Sequence, residues 1–370
     1  MAIREIRIDP SRALAEQPET GHNRWHPDIP PVISVEPGDE VVIETRDAVD
    51  GQIGPSSTAD DVGRVDISVV HPLTGPVLVT GAEPGDLLEV EILEVITGSF
   101  GYTMQSPGFG FLREEFHEPF LARWQIKDGF AVSPEIPGVA IPGQPFMGTI
   151  GVAPSRDLMT RATARERDLS SAGGMADLPD SRGAVPARTP VMQEGLRTIP
   201  PRENAGNVDI RQLSAGTRLL IPVFVPGALF SVGDAHFAQG DGEACGQAIE
   251  VRATLRARLG LRKGGAGASQ IGQLQFERAT ASAGAGPYFA TTGICVHGDG
   301  RNAMEDLTLA ARNAIRHMIE HLTATYGYTR QQAYVICSVA VDLKVSQVVD
   351  VPNVLVSAFL PLGIFDDPVT

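Results

Sequence analysis

Cysteine and basic residues are scarce in this chain of 370 residues, and each scarcity excludes a class of protein. The three cysteines are an odd number and lie far apart, which argues against a disulfide framework; they are Cys245, Cys295 and Cys337. Lysine and arginine together number 30 against 45 aspartates and glutamates, so the formal net charge is −15. A surface of that sign repels phosphate groups, and we therefore expect no nucleic acid and no anionic membrane among the partners.

Long apolar runs are also missing. No stretch approaches the about 18 consecutive apolar residues that a membrane-spanning helix needs. The first residues, MAIREIRIDPSRALAEQ, are charged and contain no apolar core, so we expect no signal peptide and a cytoplasmic location.

Glycine (40) and proline (28) are plentiful, which suits many short strands joined by turns better than a helical protein. EVVIET (40–45) and DLLEVEILEV (86–95) alternate apolar and polar residues, as half-buried strands do. The tetrapeptide EPGD occurs at 36–39, just before the first stretch, and at 83–86, where the second stretch begins. The two copies are either part of an internal β-layer repeat or two independent turns. These patterns predict a mainly β protein whose layers resemble a sandwich or a barrel.

The sequence pattern divides the chain near residue 225. Residues 1–225 form a mainly β region with a long loop near 157–195, because the segment 161–190 is poor in large apolar residues. That segment is either a lid or subunit contact, or a disordered insertion. Residues 226–370 hold a β-hairpin followed by a smaller α/β portion, and the two regions can equally be one interleaved domain.

The α/β portion is predicted from a change of period. Apolar residues recur every three or four positions between 301 and 326, which predicts an amphipathic helix ending at Gly327; they are Met304, Leu307, Ala311, Ala314, Met318 and Leu322. TRQQ (329–332) has the form of a capping box and predicts a second, shorter helix. Residues 345–362 return to a strand pattern.

Titratable residues are concentrated in SVGDAHFAQGDGEACG, residues 231–246. Asp234 and His236 are two apart on a predicted strand, so they lie on one face and offer a carboxylate and an imidazole to a divalent metal. If residues 248–259 complete a hairpin, Glu243 lies at the mouth of that face, where a carboxylate can act as general base on a water activated by the metal. An ordinary acidic turn with a hydrogen-bonded histidine is the alternative.

Two further groups of residues are candidates for chemistry. Asn207 and Asp209, in NAGNVDI, are also two apart, and Asp209 is a further oxygen ligand unless the string is only an Asx-rich turn. Cys245 is a rival nucleophile for amide hydrolysis, in a set with Glu243 and Lys344, unless it is a buried inert thiol.

The remaining histidine motifs have structural alternatives. His22 and His26, in HNRWHPDIPP, join the site only if this Pro-rich segment folds over the pocket. HGDG (297–300) is interpreted as a turn before the long helix rather than as a metal site.

These residues and the stretches around them resemble the acetamidase/formamidase family. The resemblance covers residues 22 to about 350 and is carried by HNRWHPDIPP, EPGDEVVIET, TGPVLVTGAEPGD, GFGFLREEF, PFMGTIGVAPS, NAGNVDIRQLSAGTRLLIPV, GALFSVGDAHFAQGDGEACGQAIE and VDLKVSQVVD. It implies a cytoplasmic, mostly β, homo-oligomeric hydrolase of small aliphatic amides with a divalent metal, closer to the formamidase branch. The positions that match the family's polar pattern are Asn207, Asp209, Asp234, His236, Gln239 and Glu243.

The resulting hypothesis is metal-assisted amide hydrolysis. Asp234, His236 and Asp209 hold a divalent ion, with zinc as the first choice and calcium as the alternative. Glu243 is the general base, and Asn207 or Gln239 holds the amide or the oxyanion. The alternatives are a Cys245 nucleophile and a non-catalytic β module that binds a metal or a small ligand.

Overall fold

The computed structural model describes residues 2–110, 117–239, 243, 245–269, 271–278, 287–328 and 341–362. Strands dominate this part of the chain. In chain order β1–β18 are Ile3–Ile6, Gly21–His22, Ile33–Val35, Glu40–Thr45, Leu73–Val79, Leu87–Gln105, Phe120–Lys127, Phe130–Ser133, Ile136–Pro142, Phe146–Gly151, Ala205–Asn207, Arg218–Pro222, Phe230–His236, Glu250–Arg262, Gln275–Arg278, Tyr288–Ile294, Asp342–Gln347 and Leu355–Pro361. The α-helices α1–α5 are Ala59–Val62, Arg156–Ser171, Val191–Glu194, Gly265–Ser269 and Leu307–Tyr326.

The described strands hydrogen-bond into one 18-stranded sheet, which confirms the mainly β fold class. Its centre is the long antiparallel pair β6–β14, and β14 also pairs with β4. The alternating residues of these strands form the main hydrophobic core, in which Ile43, Val90 and Leu255 are fully buried. The alternation of apolar and polar residues at 86–95 therefore does mark one buried and one more exposed face.

The predicted hairpin is confirmed. Strands β13 and β14 pair antiparallel, and His236 lies directly opposite Glu250. β13 also pairs antiparallel with β5 and with β10, and every residue of β13 is buried. Strands from both sides of residue 225 thus pair with each other, and the division at that residue stays a prediction.

The predicted C-terminal α/β portion is also confirmed. Helix α5 begins after Asp306, whose side chain accepts a hydrogen bond from the Leu309 amide (2.9 Å), and ends at Gly327 in the left-handed conformation (φ 71°). It packs on β16 and β18 over a second hydrophobic core. Gly293 permits this close approach, because a Cβ there would overlap the backbone of Ala310 and Ala314. The second helix predicted from residue 329 lies outside the described residues.

The prediction of a loop over residues 161–190 is wrong in its first part. Helix α2 runs through Ser171, with the Ser155 side chain as its N-cap, and only the stretch from 172 to 190 lacks regular structure. The helix was missed because its buried face is only partly apolar. Arg165 and Glu166 are buried on that face and form ion pairs with Glu203 and Arg202, respectively.

Candidate active site

Three neighbouring strands and two loops bring the predicted site residues together. Strand β13 carries Asp234 and His236, and β10 separates it from β11, which ends at Asn207. Asp209 follows two residues later, and Glu243 lies in the β13–β14 connection. The backbone of Asp209, Asp234 and Glu243 is left-handed (φ 46°, 55° and 47°), a conformation that costs about 1 kcal/mol or more for a non-glycine residue. The fold therefore holds all three acidic residues in unusual backbone positions.

His236 is surrounded by four buried carboxylates. Its Nε2 lies 3.3 Å from Glu250 Oε2, 3.5 Å from Asp234 Oδ1 and 4.0 Å from Glu243 Oε1. Its Nδ1 lies 3.8 Å from Asp209 Oδ1. Two overlapping sets of three have ligand atoms within 4.8 Å of one another: Asp209, His236 and Glu243, and Asp234, His236 and Glu250. The predicted metal and catalytic residues thus meet at one point, and the exact ligand set stays a prediction.

Gln239 orients the His236 ring. The Gln239 Nε2 donates to the Asp209 carbonyl oxygen (2.9 Å), which leaves Oε1 facing His236 Nδ1 at 2.9 Å. Because an amide oxygen only accepts, Nδ1 carries the hydrogen, and Nε2 is the nitrogen that faces Asp234, Glu250 and Glu243. Gln239 is not among the residues that line the cavity described below. Its contact with the amide stays a prediction, and its hydrogen bonds indicate a positioning role toward His236.

Asn207 belongs to a buried hydrogen-bond chain. Its Oδ1 accepts from Thr149 Oγ1 (2.6 Å), and its Nδ2 donates to Asp350 Oδ2 (2.9 Å). Thr149 Oγ1 also lies 3.3 Å from Asp234 Oδ2. The chain links Asp234 to Asp350 and fixes the Asn207 amide at the cavity wall.

Burial and mutual repulsion shape the charge of the site. Burial raises the pKa of Asp209, Glu243 and Asp350 well above the usual range. Neighbouring carboxylates raise the pKa of Asp209 and Glu243 further, whereas a hydrogen bond with Asp209 opposes the rise at Asp350. Burial likewise raises the pKa of Glu250 to about 7. For Asp234 burial is overcome by the neighbouring His71 and His236, which hold its pKa below the usual range.

The imidazole responds in the opposite direction. Burial lowers the pKa of His236, but the Glu250 and Asp234 carboxylates outweigh burial and raise it well above its usual value. A buried group of carboxylates around one imidazole is an environment that attracts a cation.

These groups form one end of a cavity of about 290 Å³. Its polar side consists of His71, Asn207, Asp209, Asp234, His236, Glu243, Glu250 and Asp350. Its other side is largely apolar, with Ala48, Val49, Ile67, Val70, Met104, Phe109 and Ile199. Three buried polar atoms on the polar side have no hydrogen-bond partner among the described residues: Asp209 Oδ1, Glu250 Oε2 and His71 Nδ1. Orphaned buried atoms of this kind are commonly satisfied by a water molecule or an ion.

Sequence reasoning missed three residues of the polar side. Glu250 had a usable signal, because antiparallel pairing of the predicted hairpin places it opposite His236. Asp350 lies in VDLKVSQVVD, a stretch that resembles the family, but nothing in its spacing links it to Asn207. His71 lies between a short helical turn and β5, and no local pattern marks it.

The rival nucleophile is poorly placed. Cys245 is exposed and does not line the cavity. Desolvation of its thiol, Glu243 and Glu250 together raise its pKa, whereas a nucleophilic cysteine needs a lowered one. Lys344 lies on β17, with its ammonium group 4.9 Å from the centre of the Phe359 ring, and it is also absent from the cavity lining.

His22 and His26 have structural partners instead of a place in the cavity. The buried His22 Nε2 lies 2.8 Å from Ser231 Oγ, and burial lowers the pKa of this imidazole to about 4. His26 Nε2 lies 3.0 Å from Glu194 Oε1, and its Nδ1 accepts from the Asp28 amide.

Comparison with known proteins decides the family. A model described as the Acetamidase/Formamidase family matches residues 7–367. The chain belongs to the acetamidase/formamidase family. This membership confirms the resemblance seen in the sequence and the predicted class of enzyme, an amidohydrolase.

Members of the family align along most of the chain. A formamidase from Methylophilus methylotrophus is 37% identical, over 98% of this chain and 93% of that protein. An acetamidase from Mycolicibacterium smegmatis is 38% identical, over 89% of this chain and 87% of that protein. The solved structure of a gamma lactamase from Delftia acidovorans superposes with a TM-score of 0.74 and is 37% identical, covering 99% of this chain and 94% of that one. Among the described residues, no helix has the length and apolar character to cross a membrane.

Proposed function

We propose that this family member hydrolyses small aliphatic amides, such as formamide and acetamide, to ammonia and a short carboxylate with the help of a divalent metal ion. The observation that carries the proposal is the burial of His236 among four carboxylates at one end of the cavity. The relatives named formamidase and acetamidase support the choice of substrates.

The residues of the polar side fit a divalent metal. Two of the orphaned buried atoms, Asp209 Oδ1 and Glu250 Oε2, lie beside His236. Gln239 keeps the hydrogen on Nδ1, so His236 offers Nε2 to the same space as Asp234 and Glu250. We therefore assign Asp234, His236 and Glu250 as the ligands, with zinc as the expected ion, because imidazole is a usual ligand for zinc whereas calcium takes oxygen ligands. When bound, such an ion polarises an amide carbonyl and lowers the pKa of water.

The other polar residues handle the substrate and the proton. Glu243 accepts a proton from the attacking water and donates it to the departing amide nitrogen, which leaves as ammonia. Asp209, on the Nδ1 side of His236, and Asn207 form the wall that holds the amide group. His71, whose buried Nδ1 has no hydrogen-bond partner within the described ranges, is a further hydrogen-bonding group at this wall.

Ammonia release from formamide and acetamide, measured before and after chelation with metal analysis of the same preparation, tests the proposal. We expect chelation to abolish turnover and zinc to restore it. If chelation leaves turnover unchanged and metal analysis finds no metal in the protein, the metal assignment is contradicted. Cys245→Ala then separates the two hydrolytic routes, since the proposed route predicts little change and the thiol route predicts nearly complete loss. A cytoplasmic location and a homo-oligomeric assembly stay predictions.

A lactam is a second candidate substrate, supported by the similar protein named a gamma lactamase. Ring opening releases no ammonia, so the assay is the appearance of the amino acid from 2-pyrrolidinone. If chelation abolishes both ring opening and acetamide turnover, the two reactions take place at one site.

Gly148 gives a direct test of the geometry. A Cβ on this residue would lie 2.5 Å from Asp209 Oδ1 and 2.8 Å from both Asp234 Oδ2 and His236 Cε1. We expect Gly148→Ala to lower kcat/KM for acetamide by about 100-fold, because a displacement of about 1 Å in an active site has an effect of that size. Gly63→Ala is the matched control, since a Cβ there meets open space. Wild-type turnover and metal content in Gly148→Ala would contradict the assigned site.

A further inference from the structure

The cavity has two chemically different sides, and the proposed reaction uses only one of them. In the part of the chain that the structure describes, the ionisable groups of the cavity lining all lie on the polar side around His236. The apolar side continues a separate hydrophobic cluster, to which Ala48, Val49, Val70 and Met104 belong as buried members and Ile199 as a partly buried one. We call these five residues the acyl wall. Because the cluster packs behind it, this wall is part of the folded structure and not a chance exposure of single side chains.

The cavity is also larger than its smallest expected substrates require. Its volume of about 290 Å³ is close to the lower end of the range of about 300–1,000 Å³ for sites that hold drug-sized ligands. Formamide has three non-hydrogen atoms and acetamide has four, so either leaves most of the acyl wall in contact with water. Ile67, which is 50% exposed, extends the apolar lining beyond the wall.

The polar and apolar sides of the cavity determine the direction in which the acyl chain of a bound amide extends. A primary amide is held by its carboxamide group at the polar side, and its only carbon substituent is the acyl chain. That chain is therefore directed away from the carboxylates, toward the acyl wall. Each methylene group that is buried against such a wall strengthens binding about fourfold. Enzymes discriminate between substrates that differ by one methylene group by this factor or more.

We infer that the acyl wall is a specificity-determining surface, which makes primary amides with acyl chains of three to five carbons better substrates than acetamide. This inference rests on the proposed function. Val49, Met104 and Ile199 are the wall residues that we expect to contact the chain.

The test is the value of kcat/KM for acetamide, propionamide, butyramide and valeramide with the zinc-loaded wild-type enzyme. The carbonyl groups of these amides have similar intrinsic reactivity, so differences report on the acyl chain. We expect a rise of about fourfold per methylene, or about 15-fold from acetamide to butyramide. A flat or falling series, with ammonia still released, overturns the inference and leaves the proposed function intact. Absence of ammonia from every amide overturns the proposed function itself.

A matched pair of variants ties the effect to the wall. Ile199→Ala is expected to lower the ratio of butyramide to acetamide kcat/KM at least threefold. Ile126→Ala is the control, because Ile126 is also a partly buried isoleucine but lies outside the cavity lining, and its ratio should stay at the wild-type value. Equal ratios in Ile199→Ala, Ile126→Ala and wild type would overturn the role of the wall. Unfolding temperatures of both variants show that each is folded when it is assayed.

Discussion

Replacing Glu243 by glutamine is expected to lower kcat for acetamide hydrolysis by about 10²–10⁴-fold, the usual effect of losing a general base. Glutamine keeps the size of the side chain and can still hydrogen-bond, but it accepts no proton at neutral pH. Glu243 is buried in the cavity, with Oε1 4.0 Å from His236 Nε2. Since Asp234, His236 and Glu250 are assigned as the ligands, metal content should stay close to that of the wild type.

The control for this variant is Glu94→Gln. Glu94 is exposed on β6 and lies outside the cavity lining, so its kcat should match the wild type. Metal analysis of Glu243→Gln distinguishes two failures of the assignment. Loss of metal would make Glu243 a ligand instead of the base, and retention of full kcat would remove it from the chemistry altogether.

The largest expected effect on stability comes from Glu166→Ala. Glu166 accepts two hydrogen bonds from Arg202, from Nε at 2.7 Å and from Nη2 at 2.8 Å, and both side chains are almost completely buried. Removal of one partner leaves a buried charge without compensation, which costs about 3–5 kcal/mol. We expect the free energy of unfolding, measured by urea denaturation, to fall by that amount.

An exposed ion pair on the same helix provides the comparison. Asp157 and Arg161 are 3.5 Å apart and both largely exposed, so Asp157→Ala should cost only a small fraction of the Glu166→Ala loss. The double substitution Glu166→Leu with Arg202→Met should regain part of the stability, because an apolar pair leaves no uncompensated charge. Equal losses in Glu166→Ala and Asp157→Ala would show that burial does not determine the contribution of this pair.

The parts of the molecule that follow one local rule could be predicted from the sequence. Alternation of apolar and polar residues marked β4 and β6, and a helical period ending at Gly327 marked α5. The two-residue spacing of Asp234 and His236 indicated a shared face, because β13 and β14 form the hairpin that this spacing assumes.

The parts that were missed depend on long-range pairing. Helix α2 has no clear apolar period, since its buried positions include Arg165 and Glu166, whose partners lie far along the chain at Glu203 and Arg202. His71 and Asp350 reach the cavity only through the tertiary fold, and no local pattern of residues encodes their positions. The contacts of Gln239 could not be predicted for a related reason, because its hydrogen bonds to His236 and the Asp209 carbonyl are set by the fold and not by its residue type.

The spread of the polar residues along the chain also sets the order of events during synthesis. The polar side of the cavity draws on His71, on residues 207–250 and on Asp350, so no contiguous half of the chain contains it. Contacts between such distant positions form late, because long loops must close first. A ribosome-bound chain that ends before residue 350 would therefore lack part of the cavity. Hydrolytic activity should appear only once nearly all of this sequence has left the ribosome, even if the central sheet has begun to form earlier.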